Sequence, residues 1–334
     1  MDSLYFMYPL VRAAAPSHKI WYSRILRPPD RHFILYANPL AKSTRIPFAI
    51  LPANAYIFSP LMPTRSSGDP AMSTTRIGLI GYGQIGQAVH KMIESNADNG
   101  MEVVFVHDQF AAAVESLPGD LALADLADFE SRRPDLVVEM AHPDVTRKWG
   151  TTILEKTNYM FISVTALADQ EVENSIEEVT RRAGTRAFVP HGGVVGMDAL
   201  LENRDVWESV DVVMKKPPHN VDCAAAGLNP DDIKEETTLY DGPTRGICPL
   251  FPRNVNTHAA IAYAGIGFDR THSLLLVSPE WTEAIVEIHA QGQGIDLRVA
   301  RTEGITGVTG ASTPASIYNT VQMIGSTGPG IHLR

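Results

Sequence analysis

Residues 76–94, RIGLIGYGQIGQAVHKMIE, decide the fold. An apolar run from Ile77 to Ile80 meets Gly81, Gly83 and Gly86 in G-x-G-x-x-G spacing, and helix-compatible residues follow at once, with apolar positions at Ala88, Met92 and Ile93. That order predicts a buried strand, a tight turn and a helix. The three glycines act differently. Gly81 makes the turn, Gly83 lets backbone approach a pyrophosphate, and Gly86 lets the helix pack on the strand. Gln84 and Ile85, inside the motif, open the helix, whose free N–H groups and positive dipole end suit phosphate. The glycine spacing alone is a weak sign, but its position between strand and helix strengthens it. MEVVFVHD (101–108) adds a second strand ending in Asp108, 22 residues beyond Gly86, where an acceptor for a ribose 2′-OH belongs. The competing interpretation is a glycine turn in some other α/β protein, with Asp108 capping a loop.

After Asp108 come Gln109 and Phe110, with no arginine to meet a 2′-phosphate. NAD is therefore expected in preference to NADP, with NADP use left open. The alternation of strand and helix continues. PDLVVEMA (134–141) reads as a strand whose end should lie beside the cofactor, YMFISVTALAD (159–169) as another that ends in a small-residue turn, and TRAFVPHGGVVGMDAL (185–200) as a strand running through a glycine turn into a short helix. Several turns at one edge of a parallel sheet make a crevice.

Beyond Asp198 the composition changes. VDVVMKKPPH (210–219) reads as a strand ending in paired cations, Lys215 and Lys216. In PLFPRNVNTHAAIAYAG (249–265), Arg253 leads into Asn254 and Asn256, which can cap the small-residue helix that follows. STPASIYNTVQMIG (312–325) predicts a final helix.

The totals bound the protein class. At 334 residues there is room for two domains, and a formal net charge of −10 gives a nucleic-acid partner no electrostatic support. No run approaches the roughly 18 apolar residues of a membrane span. Two cysteines, Cys223 and Cys248, fit neither a disulfide framework nor a zinc site, so no metal and a reducing, cytoplasmic setting are expected. Residues 1–71 are basic, contain no Glu and carry ten of the 23 prolines, which block long helices and ladders. They read as a disordered extension or a misplaced start, with Met72 as a natural beginning, and mitochondrial targeting as the alternative.

The ordered set GLIGYGQIG, VVEMA, ALAD, GGVVGMDAL, KKP, FPRNVN with its alanine-rich helix, and GIGFDRT resembles L-aspartate dehydrogenases from about Arg76 onward. The resemblance implies an N-terminal Rossmann dinucleotide-binding domain (72–191, completed by 312–334) and a smaller α/β domain with a mixed sheet (192–311) that supports a homodimer. The final helix would return to the first domain. It also implies NAD(P)-dependent oxidation of a CH–NH2 group, by default L-aspartate to iminosuccinate, which water converts to oxaloacetate and ammonia. Ala141 and Asn256 match the family's cofactor contacts.

That reaction needs cationic partners for carboxylates, for which Lys215, Lys216 and Arg253 are candidates, and a group that handles a proton near neutral pH. The family's histidine lies in an Asn-Ile-His-Glu-Ile stretch, and EAIVEIHAQG (283–292) places Ala284 at the Asn and Val286 at the His. His289, three residues on, should point to the opposite strand face unless a bulge returns it. His142, His191, His219 and His258 are the other histidines near the expected cleft. Three outcomes stay open: a dehydrogenase of aspartate or a related dicarboxylic amino acid, a reductase of another imine or oxo acid, or a cofactor-binding protein without this chemistry.

Overall fold

The computed structural model describes residues 74–96, 99–307 and 309–325. The expectations for residues 1–71 lie outside that set, as does the tail beyond Gly325. The described residues group as one compact unit.

The glycine stretch folds as read. Strand β1 (Thr75–Ile80) runs into helix α1 (Gln84–Glu94) and then strand β2 (Met101–His107). After the single turn α2 (Ala111–Val114) come β3 (Leu136–Glu139), α3 (Pro143–Leu154), β4 (Asn158–Phe161), α4 (Gln170–Ala183) and the two-residue β5 (Ala187–Phe188). These strands form one sheet in the order β2-β1-β3-β4-β5, every pair parallel. All four residues of β3 are buried, as expected of a central parallel strand covered on both faces. Within 159–169 the strand β4 ends at Phe161, and the small residues 164–168 wind into a short 3-10 turn, as expected.

A short helix α5 (Met197–Glu202) leads to the second sheet. Its elements are β6 (Trp207–Lys216), β7 (Thr237–Pro243), α6 (Thr244–Leu250), α7 (Asn256–Ala264), β8 (Thr271–Val277), β9 (Ala284–Gly292) and β10 (Ile295–Glu303). The order is β10-β9-β6-β8-β7, mixed because β6 and β8 are parallel and the other neighbours antiparallel. A small β11 (Ile305–Thr306) and β12 (Thr309–Gly310) pair precedes α8 (Thr313–Gly325). Helix α8 returns to the first sheet, where Ile317 and Val321 are fully buried in one cluster with Ile77, Leu79, Val89 and Ile93. Burying those two side chains contributes roughly 1.5–3 kcal/mol each, so the last helix helps hold the first strand.

In the second sheet the strand period of two sorts side chains by face. Along β9, Ala284, Val286, Ile288 and Ala290 are buried and their neighbours are not. Along β6, Val210, Val212, Met214 and Lys216 are buried, while Lys215 belongs to the other face.

Candidate active site

From β1 the chain goes first to β2 on one side and later to β3 on the other, so connections leave the carboxyl ends of β1 and β3 in opposite directions. Such a switch point leaves a crevice. Here it opens into a cavity of about 1160 Å3 whose far wall is the buried face of the second sheet.

The glycine turn forms one end of the cavity. Gly81 has φ +92°, and a Cβ there would lie 2.7 Å from the Met140 carbonyl oxygen. A Cβ on Gly86 would lie 2.1 Å from the Gly81 carbonyl oxygen, which seats α1 directly on the turn. A Cβ on Gly83 would meet nothing within 4 Å among the described residues, and Gly83 lines the cavity at the start of α1, beside Gln84 and Ile85. Asp108 stands next to this turn, its two oxygens accepting from Tyr82 N (2.7 Å) and Phe110 N (2.9 Å). Each oxygen keeps a lone pair for a ribose hydroxyl. Beside it the Phe110 ring is 68% exposed, an apolar flank for a base. An open glycine at a helix N-terminus with a carboxylate beside it fits a dinucleotide.

Ala141 and Asn256 also line the cavity. Asn256 differs from its expected role as a cap: Val255 holds the cap position, and Asn256 is the first helical residue. Its Oδ1 accepts from Thr165 N (3.2 Å), tying α7 to the turn after β4. Asn254 is buried and accepts from Asp222 N, so it is not a cap either.

Two catalytic candidates are displaced from the cavity. His289 lies on the outer face of the second sheet, with Nε2 3.2 Å from Asp296. No bulge interrupts the β9–β10 register that would bring it back. Lys215 also faces outward, its Nζ donating to both Glu287 oxygens at 2.9 and 3.0 Å. Val286, Ala284 and Lys216 instead line the cavity. Lys216 is 5% exposed. Burial lowers its pKa to about 8, with Arg301 pushing the same way and Glu303 opposing.

Arg253 lines the cavity and is exposed, and His142 and His191 line its rim. His219 is exposed and paired with Asp231, away from the lining. His258 is fully buried against Ser273 Oγ (2.9 Å), and burial together with Lys216 lowers its pKa to about 3, so it stays neutral.

Two residues escaped the sequence reading. Glu139, at the end of β3, is fully buried. It accepts from Ala141 N (2.7 Å), Ser163 Oγ (2.9 Å) and Ser163 N (3.2 Å), fastening together two strand ends that border the cavity. Arg301 on β10 is the cross-strand partner of Val286 and lines the cavity beside Glu303. A charged residue inside the apolar run LVVEM was the available signal for Glu139; the exposed-looking alternation of β10 gave none for Arg301.

A parallel sheet with this turn, closed by a second, mixed sheet that brings a buried lysine to the cleft, defines a nicotinamide-cofactor dehydrogenase fold. Comparison with known proteins agrees with that class. Residues 81–190 match the family model described as homoserine dehydrogenase, NAD binding domain, and residues 198–324 the one described as aspartate dehydrogenase, C-terminal. An aspartate dehydrogenase domain-containing protein of Xenopus tropicalis is 33% identical over 267 residues, covering 74% of this chain and 93% of the relative. An L-aspartate dehydrogenase of Methanococcoides burtonii is 31% identical over 228 residues, covering 65% and 84%. Aspartate dehydrogenase of Thermotoga maritima shares the fold, with a TM-score of 0.61 at 23% identity over 77% of this chain and 99% of that one. The chain belongs to the aspartate dehydrogenase family.

Proposed function

We propose that this protein is an NAD(P)-dependent oxidoreductase acting on the CH–NH2 group of an amino acid, with L-aspartate to iminosuccinate as the default reaction. The observation that carries the proposal is the single cavity joining the glycine turn and Asp108 to Lys216 on the second sheet. Bound there, NAD(P) supplies the hydride acceptor. The protein's share is to hold the substrate carbon in line, exclude water and manage one proton. Gly81, Gly83, Gln84, Ile85 and Gly86 are assigned to the phosphates, Asp108 to the ribose, and Ala141 with Asn256 to the nicotinamide half. Lys216 is assigned to the proton, since a group titrating near 8 inside the cleft can both give and take one.

The second reading is a reductase of another imine or oxo acid, and Val286 favours it. Where the family resemblance places an imidazole, this chain has an isopropyl group at the cavity wall, with Ala284 beside it. Asp108, with no arginine beside it, supports NAD over NADP.

The division into a cofactor domain (72–191 with 312–334) and a substrate domain (192–311) is part of the proposal, supported by the return of α8 to the first sheet. A homodimer is part of the proposal by the family resemblance, and the half-buried Val213, Leu274 and Ile285, set among charged neighbours such as Lys215 and Glu287 on the outer face of the second sheet, support it. No helix among the described residues is long and apolar enough to cross a membrane. Two buried free thiols, Cys223 and Cys248, support a cytoplasmic setting.

The test is NADH oxidation by the purified chain with ammonia and a panel of oxo acids, oxaloacetate first. Turnover with oxaloacetate supports the default; turnover with a different acid alone supports the second reading. Failure to bind NADH at all would sink both.

A further inference from the structure

The cavity wall on the second sheet is a small grid. Val286 pairs with Met214 on one side and Arg301 on the other, and Ala284 pairs with Glu303. Lys215 is level with Ile285, so Lys216, one position further along, is level with Ala284. Two long cations therefore stand at diagonal corners of a floor made of two short apolar side chains. Two strand spacings across and two residues along put their backbones roughly 12 Å apart, a gap that both side chains can span toward one ligand.

Arg301 is held for a purpose its local contacts do not exhaust. Its Nη2 pairs with Glu303 Oε1 at 2.6 Å, and its side chain is 18% exposed. Glu303 is itself fixed from behind, Oε2 accepting from Ser312 N (3.0 Å) and Ser312 Oγ (2.6 Å). The guanidinium lies close against Gly193, where a Cβ would come within 2.8 Å of Nη1. Thus a carboxylate and a glycine lock the group in place, yet its Nε and Nη1 are buried with no hydrogen-bond partner among the described residues. Buried donors left unsatisfied are costly, and more so on a charged group. A planar cation with unused N–H groups at a cavity wall is shaped for a carboxylate.

We propose that Arg301 is a specificity-determining residue that binds a carboxylate of the substrate, and that with Lys216 across the Ala284–Val286 floor it selects dicarboxylic over monocarboxylic acids. This rests on the proposed location of substrate in the same cavity. Glu303 compensates one of the two cations, so the wall keeps a net positive charge while Lys216 is protonated.

Binding of unreactive acids separates this inference from the reaction itself. With NADH bound, affinities for succinate and butyrate, which match in chain length and differ by one carboxylate, are measured by calorimetry. The wild-type chain should bind succinate at least about 10-fold more tightly than butyrate. Arg301→Gln should weaken succinate roughly 10- to 100-fold and remove the preference, leaving NADH affinity unchanged. Arg301→Lys keeps the charge beside Glu303 but loses the fork, and should retain part of the preference. A wild-type chain that binds both acids equally overturns the inference. So does an Arg301→Lys or Arg301→Gln protein that melts lower yet binds succinate normally, because the arginine would then serve only Glu303. If succinate selection depends on Arg301 but no oxo acid is reduced, the carboxylate site stands and the dehydrogenase proposal fails.

Discussion

Replacing Glu139 by Gln tests the buried end of β3 directly. Burial lifts the Glu139 pKa from 4.5 to about 7, and hydrogen bonds from Ala141, Ser163 and His142 only partly oppose it. The folded state therefore holds the proton more tightly than the unfolded chain. The associated stability is fully present below pH 4.5 and is lost as pH rises to about 7, after which it stays level. At about 1.4 kcal/mol per pK unit, the loss is on the order of 3 kcal/mol. Glutamine does not titrate, so this slope should vanish in Glu139→Gln. The amide also brings a donor into a nest of donors: with Oε1 toward Ala141 N and Ser163 Oγ, its nitrogen meets the Ser163 N–H, which costs about 1–3 kcal/mol. Urea unfolding from about pH 5 to pH 8 should then show a wild-type advantage that shrinks by roughly 2–3 kcal/mol across the range. Unfolding midpoints that stay parallel for the two proteins would refute the reasoning, since they would place the Glu139 titration outside this window.

Asp108→Ser should weaken NADH binding about 10- to 100-fold and improve NADPH binding, measured by cofactor fluorescence, because a charged acceptor is lost and a repulsion removed. Converting Val286→His, with Ala284→Asn to orient the ring, should raise aspartate oxidation by up to about 100-fold in steady-state assays, whereas His289→Ala should change neither turnover nor cofactor affinity. Burial disfavours the Lys216 ammonium, so any step needing it should decline as pH rises through about 8, and Lys216→Met should lose that limb of the kcat/KM profile.

Sequence alone determined the first half of the protein, because its rules are local. A strand, a glycine turn and a helix require only neighbours in the chain, so Gly81, Gly83, Gly86 and the position of Asp108 could be placed by spacing. The same locality correctly set the parity of β9: Val286 and His289 are an odd number of positions apart, and they do face opposite ways. Sequence did not determine which of two adjacent lysines enters the cleft. Lys215 and Lys216 must point to opposite faces, and only the packing of α7 on one side of β6, with Glu287 beside Lys215 on the other, decided between them. Nor did it determine which polar side chains would be buried. Asn256 gave up a helix cap for a bond to Thr165, 91 residues away, Glu139 is held by Ser163 beyond the neighbouring strand, and Arg301 packs against Gly193 from the loop after the first sheet. The burial of a charge is a property of what surrounds it, and those surroundings exist only after the two sheets have folded.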